Sequence, residues 1–480
     1  MNFGIVKYMI GKVIAIEGFF MVLPAITALV YGEWKGLFVY LLCGAMFYLF
    51  GRVLQSRHYV SNVFYAKEGY VIAALAWVVI SLLGAVPFVV TGDIPSYVDA
   101  LFEIASGFTT TGASILNNPE ELLHCNLLWR SFSHWLGGMG VLVFLLALLP
   151  TGGESLYIMR AESTGPSVGK IVPRIQQTSK ILYMIYAGLT LVLLVLLLIG
   201  RMPLFDAICT AVGTAGTGGF GIKADSMAGY GTYAQVVVTI FMLLFGVSFS
   251  FYYLLISGKI KAAFQMEEVR WYIGIYLIVT IIISLNVWNG VGSFWHQLQQ
   301  SAFQTSSVMT TTGFATQDFD TWPMLSKFLM GFLMLVGACS GSTAGGLKLS
   351  RVIIYLKGIK KELSSQIHPN RVKVLCMDGK RIADETLHVV YVYLALFVVI
   401  FLMSVCVVSL EGHDWETTFS AVLATLNNIG PGFGMVGPTA NYGFFTPLSK
   451  LVLTFDMLAG RLELIPMVIL LAPSTWRKNG

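Results

Sequence analysis

The chain has 480 residues, of which 56% are hydrophobic and 11% charged, and a net charge of +5. Soluble proteins carry about 25% charged residues, so this composition excludes a soluble domain and indicates an all-α polytopic membrane protein. Its bases lie in short segments between apolar stretches, which excludes a nucleic-acid partner.

Ten segments are long enough to cross a hydrocarbon core of about 30 Å at about 1.5 Å rise per residue. The first two, 9–31 and 35–55, form an amino-terminal hairpin within residues 1–58. The first follows Lys7 without a small-residue cleavage site and reads as a retained span rather than a signal peptide. The other eight group into four span–loop–span units. Unit one (59–165) has spans 70–91 and 128–149 around Thr109-Thr110-Thr111-Gly112. Unit two (166–262) has spans 178–200 and 232–257 around Thr217-Gly218-Gly219-Phe220. Unit three (263–380) has spans 270–289 and 323–356 around Thr310-Thr311-Thr312-Gly313. Unit four (381–480) has spans 386–410 and 447–472 around Asn427-Asn428-Ile429-Gly430-Pro431.

A short helix is expected before each loop. Asp99 stands thirteen residues before Gly112, Asp206 thirteen before Gly219, and Glu416 fourteen before Gly430. In unit three Ser293 can open the helix. These residues read as helix starts that complement the macrodipole, not as ion ligands. Glu103, one turn further on, is a candidate for an outer vestibule.

The charge distribution sets the orientation. Lys7, Lys12, Arg52, Arg57, Lys67, Arg160, Lys170, Arg174, Lys180, Lys259, Lys261, Arg270, nine bases between Lys348 and Arg381, Arg477 and Lys478 all fall on one side of the ten spans. The positive-inside rule puts that side, with both termini, in the cytoplasm. Asp93, Glu120, Glu121, Asp318, Asp320, Glu411 and Asp414 then face outward and would concentrate cations at an entrance.

A helix of about twelve residues measures roughly 18 Å, a little over half the core, so each loop must return from mid-membrane. Irregular backbone is tolerated there only where it lines a watery path inside protein. Four such loops around one axis offer rings of carbonyl oxygens that replace a cation's hydration shell. The filter residues are Thr110, Thr111 and Gly112; Thr217, Gly218 and Gly219; Thr311, Thr312 and Gly313; and Asn428, Ile429 and Gly430.

Further motifs are His134-Trp135-Leu136-Gly137-Gly138-Met139-Gly140, Gly341-Ser342-Thr343-Ala344-Gly345-Gly346-Leu347-Lys348 and Gly460-Arg461-Leu462-Glu463. With the four loops, they make the chain resemble the Trk/Ktr/HKT superfamily of potassium transporters over its whole length, and most closely its bacterial TrkH-type subunits. The resemblance implies a potassium-selective filter, a homodimer with one pore per protomer, a cytoplasmic TrkA-type ring of nucleotide-binding regulatory subunits, and the bacterial inner membrane. In that family a glycine in every filter loop goes with potassium, which favours Gly430 over Gly432 as the fourth. The departures in loops two and four imply looser selectivity than four identical filters would give. K⁺ is then the transported ion, with no organic cofactor.

The run Ser340–Gly346 is too poor in helix formers to stay regular, so the eighth span is expected to break into a gating loop of Gly341, Ser342, Thr343, Ala344, Gly345 and Gly346, with Lys348 beside it. Arg461 lies about 20 Å into the last span and is expected to face the cavity below the filter, where its removal raises flux. Neither Asp456 nor Glu463 is spaced to pair with it on the same helix. The inner segment 357–385 reads as the longest loop and a docking surface. His134 reads as packing. The six cysteines (Cys43, Cys125, Cys209, Cys339, Cys376, Cys406) have no metal or redox spacing, and nothing in the sequence suggests an enzyme. The alternative to a gated pore is a carrier coupling K⁺ to Na⁺ or H⁺ by alternating access.

Overall fold

The structure, a computed structural model, describes residues 1–56, 66–140, 175–288, 290, 293–368 and 374–476. Inside a bilayer each backbone polar group must find a partner within its own segment, and these apolar runs accordingly fold into helices. The amino-terminal span Phe3–Tyr31 is α1 (Phe3–Phe20) and α2 (Val22–Tyr31), interrupted at Met21. It returns as α3 (Trp34–Gln55). Four glycines bring the two helices into backbone contact. A Cβ on Gly18 would lie 2.6 Å from Gly44 O, and one on Gly51 2.5 Å from Gly11 O.

Unit one comprises α4 (Ala66–Gly84), α5 (Val86–Thr91), the short helix α6 (Tyr97–Phe108) and α7 (His124–Gly138). In unit two, α8 (Ile175–Ile199) is followed by the short helix α9 (Leu204–Gly216), then α10 (Thr232–Gly246) and α11 (Phe249–Ile256). The turn α12 (Ile260–Phe264) leads into unit three: α13 (Glu267–Val287), the short helix α14 (Phe294–Met309), α15 (Met324–Val336) and α16 (Leu349–Ile367). An antiparallel pair, β1 (Cys376–Met377) and β2 (Lys380–Arg381), precedes unit four. That unit holds α17 (Asp384–Val408), the short helix α18 (Trp415–Leu426), α19 (Pro447–Arg461), α20 (Ile465–Leu471) and α21 (Pro473–Trp476).

Ten spans with a break in the eighth alone are not what forms. Among the described residues six helical segments are long and apolar enough to cross a membrane, or seven if α10 and α11, bent by 89°, count as one. The discrepancy lies in the second span of each unit, where the expected break in 323–356 has counterparts. Helix α7 stops at Gly138, before Gly140 at φ 84°. Helix α10 stops at Gly246, and α19 at Arg461 before Glu463 and Leu464, both at positive φ. Hydropathy rates these stretches as continuous because the breaking residues are themselves mostly apolar.

The inner half of span 128–149 and the bases Arg57, Arg160, Lys170, Arg174, Arg371, Lys373, Arg477 and Lys478 lie outside the described residues. Segment 357–385 is not simply a loop, because α16 continues to Ile367 and the β-hairpin follows. The helix starts fall where the acids stand. Asp99, Asp206 and Glu416 occupy first turns, and Ser293 holds the N-cap position of α14. Ser96 and Asp414 supply side-chain caps, accepting from the N–H of Asp99 and Thr417.

Candidate functional site: a ring of four re-entrant loops

The four short helices end in one repeated backbone conformation. Thr110 (φ 56°), Thr217 (54°), Thr311 (54°) and Asn428 (54°) are left-handed, and two residues later so are Gly112 (78°), Gly219 (74°), Gly313 (86°) and Gly430 (99°). The residue between them donates its N–H to a carbonyl of the preceding short helix in every loop. These bonds run from Thr111 to Ser106 (2.9 Å), Gly218 to Gly213 (2.9 Å), Thr312 to Ser307 (2.8 Å) and Ile429 to Ala424 (2.8 Å). Loop four therefore repeats the pattern at Gly430; Gly432 is not in the left-handed region.

The loops also close on one another. A Cβ on Gly112 would lie 2.0 Å from Gly218 O, on Gly219 1.8 Å from Thr312 O, on Gly313 2.3 Å from Ile429 O, and on Gly430 2.7 Å from Thr111 O. Each glycine leaves room for a carbonyl of the next loop, and the fourth returns to the first. All four glycines line a single cavity that Arg130 and Lys223 also border. Among the described residues, the buried Thr110 Oγ1 and Asn428 Oδ1 have no hydrogen-bond partner, leaving oxygens available beside the ring.

Glu103 is not in a vestibule. It is fully buried, accepting from Arg130 Nε (2.5 Å), Ser114 Oγ (2.9 Å) and Ile115 N–H (2.9 Å). Arg130 in turn donates to Gly221 O at 2.8 Å, so one ion pair joins the exits of loops one and two.

Residues 337–348 are non-helical and lie against the ring. Gly345 N–H donates to Thr311 Oγ1 at 2.6 Å, and a Cβ on Gly345 would lie 2.4 Å from Asn427 O. Gly341 (φ 68°) and Gly346 (φ 80°) make the turns. Ser342 Oγ donates to Cys339 O, Thr343 Oγ1 to Phe245 O, and Lys348 Nζ to Ala344 O. Arg461 donates to Thr343 O at 2.7 Å and to the carbonyls of Gly137 and Gly138 at the end of α7. It thus holds the loop and the carbonyl end of a helix, where a cation is favoured. Glu463 pairs instead with Arg351, and Asp456 accepts from Ser404 at 2.7 Å.

The sequence profile of the TrkH family, described as cation transport protein, matches residues 37–478. The chain belongs to the TrkH family. The Trk system potassium uptake proteins TrkH of Salmonella typhimurium and of Escherichia coli are each 33% identical to it over 495 residues, covering 100% of both chains. The TrkH of Halomonas elongata is 34% identical over 494 residues. The crystal structure of the potassium transporter TrkH from Vibrio parahaemolyticus superposes with a TM-score of 0.88 at 30% identity, over 99% of this chain and 100% of that one. As a member of the TrkH family the chain is an integral membrane transport protein and not an enzyme.

Within this TrkH-family fold, two residues matter that sequence reasoning left aside, Arg130 and Glu268, and a third, His134, that it read as packing. Arg130 and His134 sit behind the loops. Glu268, at the start of α13, accepts from Ser340 N–H (2.7 Å), inside the non-helical segment, and from Ser350 N–H (3.0 Å), in the first turn of α16. For Arg130 and Glu268 the available signal was position: charged groups within or at the edge of apolar spans are costly to place there unless they have partners.

Proposed function

We propose that this chain is the translocating subunit of a Trk-type potassium uptake system. Residues 1–58 form an accessory hairpin, and 59–165, 166–262, 263–380 and 381–480 are four pore units around one path. The observation that carries the reading is the ring, in which four loops of one backbone conformation are closed glycine to carbonyl. Such a ring presents oxygens from every unit to one axis, the arrangement a dehydrated cation needs. Thr110 to Gly112, Thr217 to Gly219, Thr311 to Gly313 and Asn428 to Gly430 serve as the filter. Segment 341–346, Lys348 and Arg461 serve as the gate beneath it. The names of the relatives support K⁺ as the ion, and the basic segments support a cytoplasmic side at both termini in a bacterial inner membrane. A homodimer and a nucleotide-binding TrkA-type partner docking on 357–385 complete the proposed assembly.

Rubidium uptake into proteoliposomes of the purified chain, with Na⁺ and Li⁺ as competitors, tests this. Saturable, voltage-driven entry without a co-ion supports the pore. Strict dependence on a Na⁺ or proton gradient replaces it with a coupled carrier, and absence of flux removes both.

A further inference from the structure

Loops one and three brace themselves. In each, the first threonine hydroxyl donates to a pore-helix carbonyl, Thr109 to Ala105 O and Thr310 to Ser306 O, both at 2.7 Å. The same hydroxyl lies 2.7 Å from the one two residues on, that of Thr111 or Thr312. Loop two has Gly216 and Gly218 at these positions and can make neither contact.

The space is filled from another unit. A Cβ on Gly218 would lie 2.2 Å from Cγ and Nδ1 of His134, and one on Gly216 would lie 2.2 Å from the His134 carbonyl oxygen. The imidazole is fully buried. Its Nδ1 lies 2.7 Å from Gly107 O, an atom that only accepts, so Nδ1 carries the proton. Nε2 is then the acceptor for Phe220 N–H at 3.3 Å. Phe220 directly follows Gly219, and its ring packs against both His134 (centroids 4.3 Å apart) and the Arg130 guanidinium (3.6 Å).

We infer that His134 is a positioning residue for ion selection, its neutral ring standing in for the threonine side chain that loop two lacks at Gly218. It fixes the Gly218 carbonyl, which fits against Gly112 in the ring, and ties loop two to the end of the first pore helix. The inference rests on the pore reading above and adds the group that holds the atypical quarter of the filter in register.

The test compares rubidium uptake and its inhibition by sodium for His134→Ala, His134→Gln, Gly218→Thr and the double variant His134→Ala with Gly218→Thr. His134→Ala is expected to sharpen sodium inhibition about tenfold, the scale of roughly one lost hydrogen bond at the filter. Gly218→Thr alone forces a side chain into the imidazole and is expected to be at least as damaging. The double variant, with threonine in the vacated volume, is expected to recover discrimination beyond either single change. His134→Gln, whose carbonyl oxygen reaches the place of Nε2, is expected to stay near the unaltered protein. Unchanged discrimination in His134→Ala, or a double variant no better than the worse single one, overturns the inference. If His134→Ala does not purify as a monodisperse protein, Gly218→Thr decides: discrimination equal to that of the unaltered protein overturns the inference, and loss of it supports the inference. Absent flux in the unaltered protein would sink the pore reading instead.

Discussion

Burying Glu103 and Arg130 beside the ring removes two charges from water, and each must be answered by fixed partners. The partners are there: Glu103 accepts from Arg130, Ser114 and Ile115, and Arg130 also reaches Gly221 and Ser114. Removing one charge leaves the other uncompensated, which typically costs about 3–5 kcal/mol. Glu103→Gln is therefore expected to lower the thermal midpoint of the purified protein and to admit more sodium. A sodium-to-rubidium ratio equal to that of the unaltered protein would mean the pair supports folding alone. The sequence made Glu103 visible but not its direction, because a pore helix buried on nearly every side has no solvent face to reveal by periodicity. His134 was equally hard to see from its own surroundings. The trace was elsewhere, in the two glycines of loop two where loops one and three carry threonine.

At the scale of elements, two charged side chains anchor the segment between α15 and α16. Arg461 holds its middle through Thr343 O, and Glu268 ties its Ser340 N–H to that of Ser350 in the first turn of α16. The second contact places a carboxylate at the start of α16, where the helix dipole favours a negative charge. Arg461→Ala and Glu268→Gln are each expected to raise the initial rate of rubidium uptake several-fold at equal expression. A rate unchanged in both would leave the segment without a gating role. The break itself was legible in Ser340–Gly346, where six of seven residues, all but Ala344, are weak helix formers and three are glycine. The breaks after Gly246 and Arg461 were not, because Val247-Ser248 and Leu462-Glu463-Leu464 differ little from ordinary helix sequence. Tertiary contacts decide there: Val247 follows directly on Gly246, where a Cβ would meet Thr310 at 2.8 Å, and Leu462 follows Gly460 and Arg461, with a Cβ on Gly460 2.0 Å from Leu426 O. Repeats and loop order could thus be read from composition and spacing, whereas the bracing behind them joins residues from 27 to 324 positions apart.

Across the whole molecule the ring closes unevenly, and the unevenness makes a graded prediction. The space for a methyl group falls from Gly430 (2.7 Å) through Gly313 (2.3 Å) and Gly112 (2.0 Å) to Gly219 (1.8 Å). Alanine at each position is expected to impair rubidium over sodium preference in the reverse order, with Gly219→Ala worst and Gly430→Ala mildest. Competition assays on the four variants check it, and an order unrelated to these distances would mean that the loops move apart more freely than their packing implies. One feature of the architecture bears on all of this. In every unit the second span gives way close to where it touches the loops, after Gly138, Gly246, Val336 and Arg461. The described residues thus share a waist at this level, followed in units two to four by α11, α16 and α20. On the proposed pore reading, that waist divides a tier that chooses the ion from a tier that sets throughput, so uptake would be throttled without admitting the wrong metal.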